Sequence, residues 1–216
     1  MMASRTSEAH ASNRDTLIRE AFWLEWATAI WMAIEAAVAI VAGIIAGSIS
    51  LLAFGIDSVI ELVSAGVLVW RLTVELWHGQ AFSESAERRA TRIGGGLLFA
   101  LAAYVILSAA WSFWTRSGQE FSALGLGVTV AAIPIMYVLS KRKLKIAEQL
   151  GSRAMRADAI ESITCGYLSL IVVIGLLAQF LTGFWWVDAA TSLGIVWFLA
   201  KEGREAWAAE ECDHCH

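Results

Sequence analysis

The sequence predicts an all-α membrane protein of six transmembrane helices with both termini in the cytoplasm. Two observations carry this. The 216 residues are 58% hydrophobic with a single proline, whereas soluble domains average about 45–50% apolar residues. The excess is gathered into runs of roughly 20 residues, the length a helix needs to cross ~30 Å of hydrocarbon. The basic residues are equally uneven. Six spans place Arg5, Arg14, Arg19, Arg71, Arg88, Arg89, Arg92, Lys141, Arg142, Lys143, Lys145, Arg153, Arg156, Lys201 and Arg204 on one side, 15 of the 16, and leave only Arg116 on the other. Cytoplasmic loops collect Lys and Arg, so that side is the cytoplasm. An odd number of spans would scramble the asymmetry.

Residues 1–18 are polar and without period, and read as a mobile cytoplasmic tail. The first apolar run follows some twenty polar residues and is too long for a signal-peptide core. The spans fall at 22–46, 50–72, 93–114, 121–140, 157–181 and 184–205, within a transmembrane transport domain at 19–206. The outer loops AGSIS, TRSGQE and TGFWW are short; the inner connection at 75–92 carries Glu84, Glu87, Arg88 and Arg89 and reads as a solvated helical turn. Trp70 and Trp77 mark the inner interface, and Trp111, Trp114, Trp185 and Trp186 the outer one. Gly43 and Gly47 form a small-residue pair that suits close helix packing. Pro134 should kink the fourth span.

Polar residues inside these spans carry the chemistry. Asp57, Glu61 and Ser64 share one face of the second span, and Asp158, Glu161, Cys165 and Ser169 one face of the fifth. A charged side chain at the bilayer centre costs about 2.5–3.5 kcal/mol on insertion scales. The apolar bodies of the spans lack Lys and Arg, so the acids have no evident internal counter-charge. Two such faces meeting bring Asp57, Glu61, Glu161 and Cys165 together, hard oxygens with one soft sulfur, which suits a divalent metal ion. Uncompensated carboxylates hold protons when the site is empty, and a metal ion displaces them. Proton–metal exchange is therefore the expected chemistry. Glu35, midway along the first span, is a further ligand or proton relay. Asp158 lies at the inner boundary beside Arg156, where a local ion pair or a vestibule role is expected, with relay or extra-ligand duty as alternatives. Asp188 is placed to cap the sixth helix. The segment 207–216 forms a short cytoplasmic tail whose Cys212, His214, Cys215 and His216 suit metal capture.

The segment GSISLLAFGIDSVIELVSAGVLVWRL resembles the second-helix region of the cation diffusion facilitator (cation efflux) family, with Asp57 and Glu61 at that family's acid-x-x-x-acid pair. SRAMRADAIESITCG resembles its fifth helix, and WWVDAATSLGIV the start of its sixth. The fifth helix of the family commonly carries His-x-x-x-Asp or Asp-x-x-x-Asp; here Glu161 and Cys165 occupy those positions, and no span contains His. The family's cytoplasmic metal-binding domain has no counterpart in this sequence, so a short branch is expected, with any homodimer built through the membrane helices.

The resemblance implies a proton-coupled exporter of a divalent transition metal working by alternating access in a bacterial inner membrane. Zn²⁺ is the first choice, and Fe²⁺, Mn²⁺, Co²⁺ and Cd²⁺ are alternatives. Metal ions and protons are substrates; no cofactor and no nucleic-acid partner are expected. The rival reading is a membrane metal sensor or assembly partner that binds without transport. An enzyme is not expected: no His-Glu-x-x-His motif is present, and no span offers a His to activate a nucleophile.

Overall fold

The computed structural model describes residues 2–78, 84–116 and 120–208. They form six helices: α1 Met2–Ala46, α2 Ile49–His78, α3 Glu84–Thr115, α4 Ala123–Leu150, α5 Arg153–Thr182 and α6 Val187–Ala208. No strand occurs among the described residues. The protein is an all-α membrane protein. Five helices are long and apolar enough to cross a bilayer, in segments Thr16–Ala46, Ile49–Val74, Gly96–Thr115, Ala123–Leu150 and Asp158–Thr182. The sixth is not among them, because Asp188, Lys201, Glu202 and Arg204 fall within its first 18 residues. Its 22 residues still span about 33 Å.

The helices pack as three pairs, α1 with α2, α4 with α5, and α3 with α6. Helix α1 also packs on α4, and α2 on α5, so the first two pairs form a four-helix group. The α3–α6 pair lies beside it against α2 and α5. One core fills the middle, around Phe54, Met136, Cys165, Leu168, Leu176 and Ile195. A second, of Ile18, Leu24, Leu68, Leu72, Ile146 and Met155, closes the end that carries the α2–α3 and α4–α5 connections. By the charge asymmetry this is the inner end. Trp114, Leu107 and Leu181 project from the outside of the bundle and are largely exposed, as side chains that meet lipid should be.

Three expectations change. Helix α1 begins at Met2, so residues 2–18 are helical in backbone and continuous with the first span. Helices α4 and α5 extend through the basic stretch 141–156 and are separated only by Gly151 and Ser152. Ser152 caps α5 by accepting a hydrogen bond from the Met155 amide. Residues Lys141 to Lys145 thus ride on the last turns of α4 rather than in a loop. The acidic and basic residues 84–92 likewise form the first turns of α3. The Gly43-x-x-x-Gly47 pair divides its work. A methyl group on Gly43 would stand 2.9 Å from the backbone nitrogen of Leu52, so α2 approaches there as closely as backbones can. Gly47 instead turns the chain, with φ +64°. Helix α4 continues through Pro134.

Candidate functional site

Each helix of the four-helix group contributes a buried stripe with alternating spacings of four and three. On α1 it runs through Ala21, Glu25, Thr28, Met32, Glu35 and Ala39. On α2 it runs through Phe54, Ser58, Glu61, Ala65 and Leu68, with Asp57 beside Ser58. On α5 it runs through Met155, Ser162, Cys165, Ser169 and Val172. This spacing keeps one face toward the partner helices, and these are the faces that turn inward.

The stripes of α1, α2 and α5 meet at Glu35. Its Oε2 accepts a hydrogen bond from Trp31 Nε1 at 2.7 Å, and its Oε1 accepts one from Ser58 Oγ at 2.7 Å. The Cys165 thiol donates to the same Oε1 at 3.5 Å. Glu35 is thereby the point where the second and fifth helices are joined through the first. The contact also sets the depth of the two acidic faces. Helix α2 runs inward and α5 outward, so Asp57 lies near the level of Cys165 and Glu61 nearer that of Glu161.

Asp57 and Glu61 are buried, at 1% and 8% exposure, and among the described residues their four carboxylate oxygens accept no hydrogen bond. Buried polar groups are almost always satisfied, which makes two adjacent exceptions informative. Glu161 sits on the flank of the α5 stripe and is only partly buried. No three His, Cys, Asp or Glu side chains among the described residues stand close enough to hold one metal ion together. The acids of α2 and the acid and thiol of α5 thus lie on two helices that pack together, without being gathered into a finished coordination shell.

Two other charged residues take places the sequence reading did not give them. Lys143 of α4 is completely buried, against the expectation that the spans lack an internal cation. Its Nζ lies 2.9 Å from Glu25 Oε2, contacts Asp158 Oδ2, and is 3.5 Å from Ser162 Oγ. Asp158 thus pairs with Lys143 across the helix interface rather than locally with Arg156. Neither Glu25 nor Lys143 was singled out by composition. The spacing Met136, Ser140, Lys143, Ala147, buried throughout, is the signal that could have found the lysine. Asp188 lies in the first turn of α6, as expected, and also caps the start of α2. It accepts hydrogen bonds from Ser48 Oγ at 2.8 Å, from the Ile49 amide at 2.6 Å and from the Ser50 amide at 3.3 Å, and contacts Ser50 Oγ. The α2 amides face it because the first four N–H groups of a helix lack internal partners. Cys212, His214, Cys215 and His216 lie outside the described residues.

Residues 26–208 match the family described as the cation efflux transmembrane domain. The chain belongs to the cation efflux family. The match runs from early α1 to the end of α6 and so takes in every residue of the Glu35 and Lys143 contacts except Glu25. The chain is also 28% identical over 155 residues to an uncharacterized transporter of Synechocystis sp., an alignment covering 70% of this chain. The chain spans about half the length of that curated relative.

Proposed function

We propose that this protein is a proton-coupled transporter of divalent transition-metal cations, moving them out of the cytosol across a bacterial inner membrane by alternating access. The observation that supports the reading is the pair of buried carboxylates, Asp57 and Glu61, which accept no hydrogen bond among the described residues and lie on a helix packed against the one carrying Glu161 and Cys165. A divalent ion supplies the charge these acids lack, and protons supply it when the ion is gone. A small closure of α5 on α2 completes the ligand set of Asp57, Glu61, Glu161 and Cys165. Glu35 takes up the thiol proton when Cys165 binds metal, since the two already share a hydrogen bond. One thiolate among carboxylates favours Zn²⁺, with Cd²⁺, Co²⁺, Fe²⁺ and Mn²⁺ as weaker substrates. Membership of the cation efflux family and the name of the relative point the same way. The transport unit is residues 19–206, and the tail 207–216 captures metal at the cytoplasmic mouth. A homodimer forms through the membrane helices.

The test is uptake into sealed inside-out vesicles across a panel of divalent metals, with and without an imposed proton gradient. Zn²⁺ uptake that rises with an inward-acid gradient is expected. Absence of flux for every metal would sink the transport reading. Stoichiometric binding without flux would establish the sensor instead.

A further inference from the structure

Lys143 is a cation placed where the transport pathway should meet the cytoplasm. The first two helix pairs, α1–α2 and α4–α5, each contribute part of the candidate site, which lies between them. At the inner end the charged contacts divide the same way. Lys143 and Asp158 belong to one pair of helices, so their contact ties α4 to α5. Glu25 belongs to the other, and its contact with Lys143 crosses between the pairs. Glu25 and Lys143 are completely buried, and the second apolar core packs around them from the same four helices. Asp158, which Lys143 contacts, stands about one helical turn inward of Glu161 on α5. A seal at Glu25, Lys143 and Asp158 therefore sits directly between the candidate site and the inner end.

The contacts are also asymmetric. Both Glu25 oxygens are buried and accept no hydrogen bond among the described residues, and only the ion pair of Oε2 with Lys143 holds the group. Lys143, by contrast, keeps Asp158 and Ser162 if Glu25 moves away. Separation of the two pairs costs Lys143 one carboxylate and leaves it another. It leaves Glu25 free at the newly opened mouth, where a carboxylate attracts an incoming divalent cation.

Resting on the transport reading above, we propose that Lys143 is an internal latch: its ammonium holds the inner ends of the α1–α2 and α4–α5 pairs together, and release of Glu25 opens the site to the cytoplasm. The latch works with a fixed charge of the protein, so the closed inner end is held without a bound metal ion.

Cys165 reports on the latch. It lies beyond the latch, buried, and it is the only one of the three cysteines outside the C-terminal tail. In a Cys212→Ser, Cys215→Ser background a membrane-impermeant thiol reagent is applied from the cytoplasmic face, using inside-out vesicles, and from the outer face, using right-side-out ones. Glu25→Gln keeps Lys143 paired with Asp158. It is expected to raise the cytoplasmic labelling rate at least ten-fold without raising the outer one. Lys143→Arg keeps the charge, and its planar fork can hold both carboxylates at once. It is expected to lower cytoplasmic labelling about three-fold and to slow Zn²⁺ flux by a similar factor. Labelling of Glu25→Gln at the wild-type rate, or accelerated equally from both faces, makes the contact a packing feature and overturns the latch. If Glu25→Gln does not fold, Lys143→Arg decides alone, and unchanged labelling and flux in it overturn the proposal. A wild type that moves no metal, with the side-specific labelling intact, removes the transport reading and leaves the latch standing.

Discussion

At the inner end of the bundle two carboxylates, Glu25 and Asp158, share the ammonium of Lys143. Deeper in the bundle two more, Asp57 and Glu61 of α2, are buried and accept no hydrogen bond among the described residues. The two regions use the same acidic residue types on different helices, and both lie in apolar surroundings. They differ in whether the counter-charge belongs to the chain. Where the protein supplies its own cation, the acids fasten helices together. Where it supplies none, the acids stand ready for the arriving cation of the proposed transport. A cost of several kcal/mol for a buried unpaired charge is tolerable only if something regularly relieves it.

The sharpest way to break this contrast is to neutralise the unpaired acids. Asp57→Asn and Glu61→Gln should each lower metal flux at least 100-fold, because each deletes a ligand for the incoming ion. Thermal stability should hold or rise slightly, since no internal partner is lost. Flux near wild type in either variant, measured at equal expression in vesicles, would remove the α2 acids from the pathway. The paired region should behave oppositely. Lys143→Ala strands buried Glu25 and partly buried Asp158, and removing one partner of a buried pair costs about 3–5 kcal/mol. Its signature is loss of folded protein in detergent, seen by size exclusion and a thermal melt, rather than a pure transport defect.

A third group of contacts lies between these extremes. Asp188 is satisfied by neutral donors, so Asp188→Ala should cost about 1–2 kcal/mol, the scale of a lost helix cap. Lower melting temperature with transport intact below it is the expected result; loss of flux at full stability would give Asp188 a role in the pathway. Smaller still is the effect expected at Cys165, which should set preference more than capacity. Cys165→Asp should shift competition between Cd²⁺ and Mn²⁺ toward Mn²⁺, and Cys165→Ser should weaken Cd²⁺ and Zn²⁺ most. Equal preference in wild type and both variants would leave the thiol a packing role. Deleting residues 211–216 should have the least effect, reducing uptake only at low metal, as a tethered ligand raises local concentration without joining translocation. A fall in maximal flux would place that tail in the core machinery.

The six helices were legible because hydrocarbon thickness imposes their length and because short turns such as AGSIS and TGFWW punctuate them. Asp57 and Glu61 stood out for the same reason: a charge inside an apolar run is conspicuous. Lys143 was not legible as an internal cation, since it sits in a basic run that looks like a cytoplasmic connection. Only the helical continuation to Leu150 turns it inward. Glu25 was hidden for a related reason, lying close to the polar start of the first span, although its place in the Ala21–Glu25–Thr28–Met32 spacing marks it as buried. The relative depth of the α2 and α5 acids could not be counted along the chain. Helix α5 starts at Arg153 and exceeds the bilayer thickness, and only the Cys165–Glu35 contact fixes its register. Asp188 is legible as the acid opening α6, but its reach to the α2 amides is not, because the sequence shows which residue can cap and not which amides stand opposite it.

The clasp of Asp188 on Ser48, Ile49 and Ser50 has a consequence for how the protein is made. The residues it joins lie 140 positions apart. At a synthesis rate of about 5–20 residues per second, α2 has only its local Ser48 cap on the Leu51 amide for on the order of ten seconds, until Asp188 leaves the ribosome. Until then its first amides face the outer interface, where headgroups and water can serve them. The second helix therefore enters the membrane unfinished, and the last helix completes it.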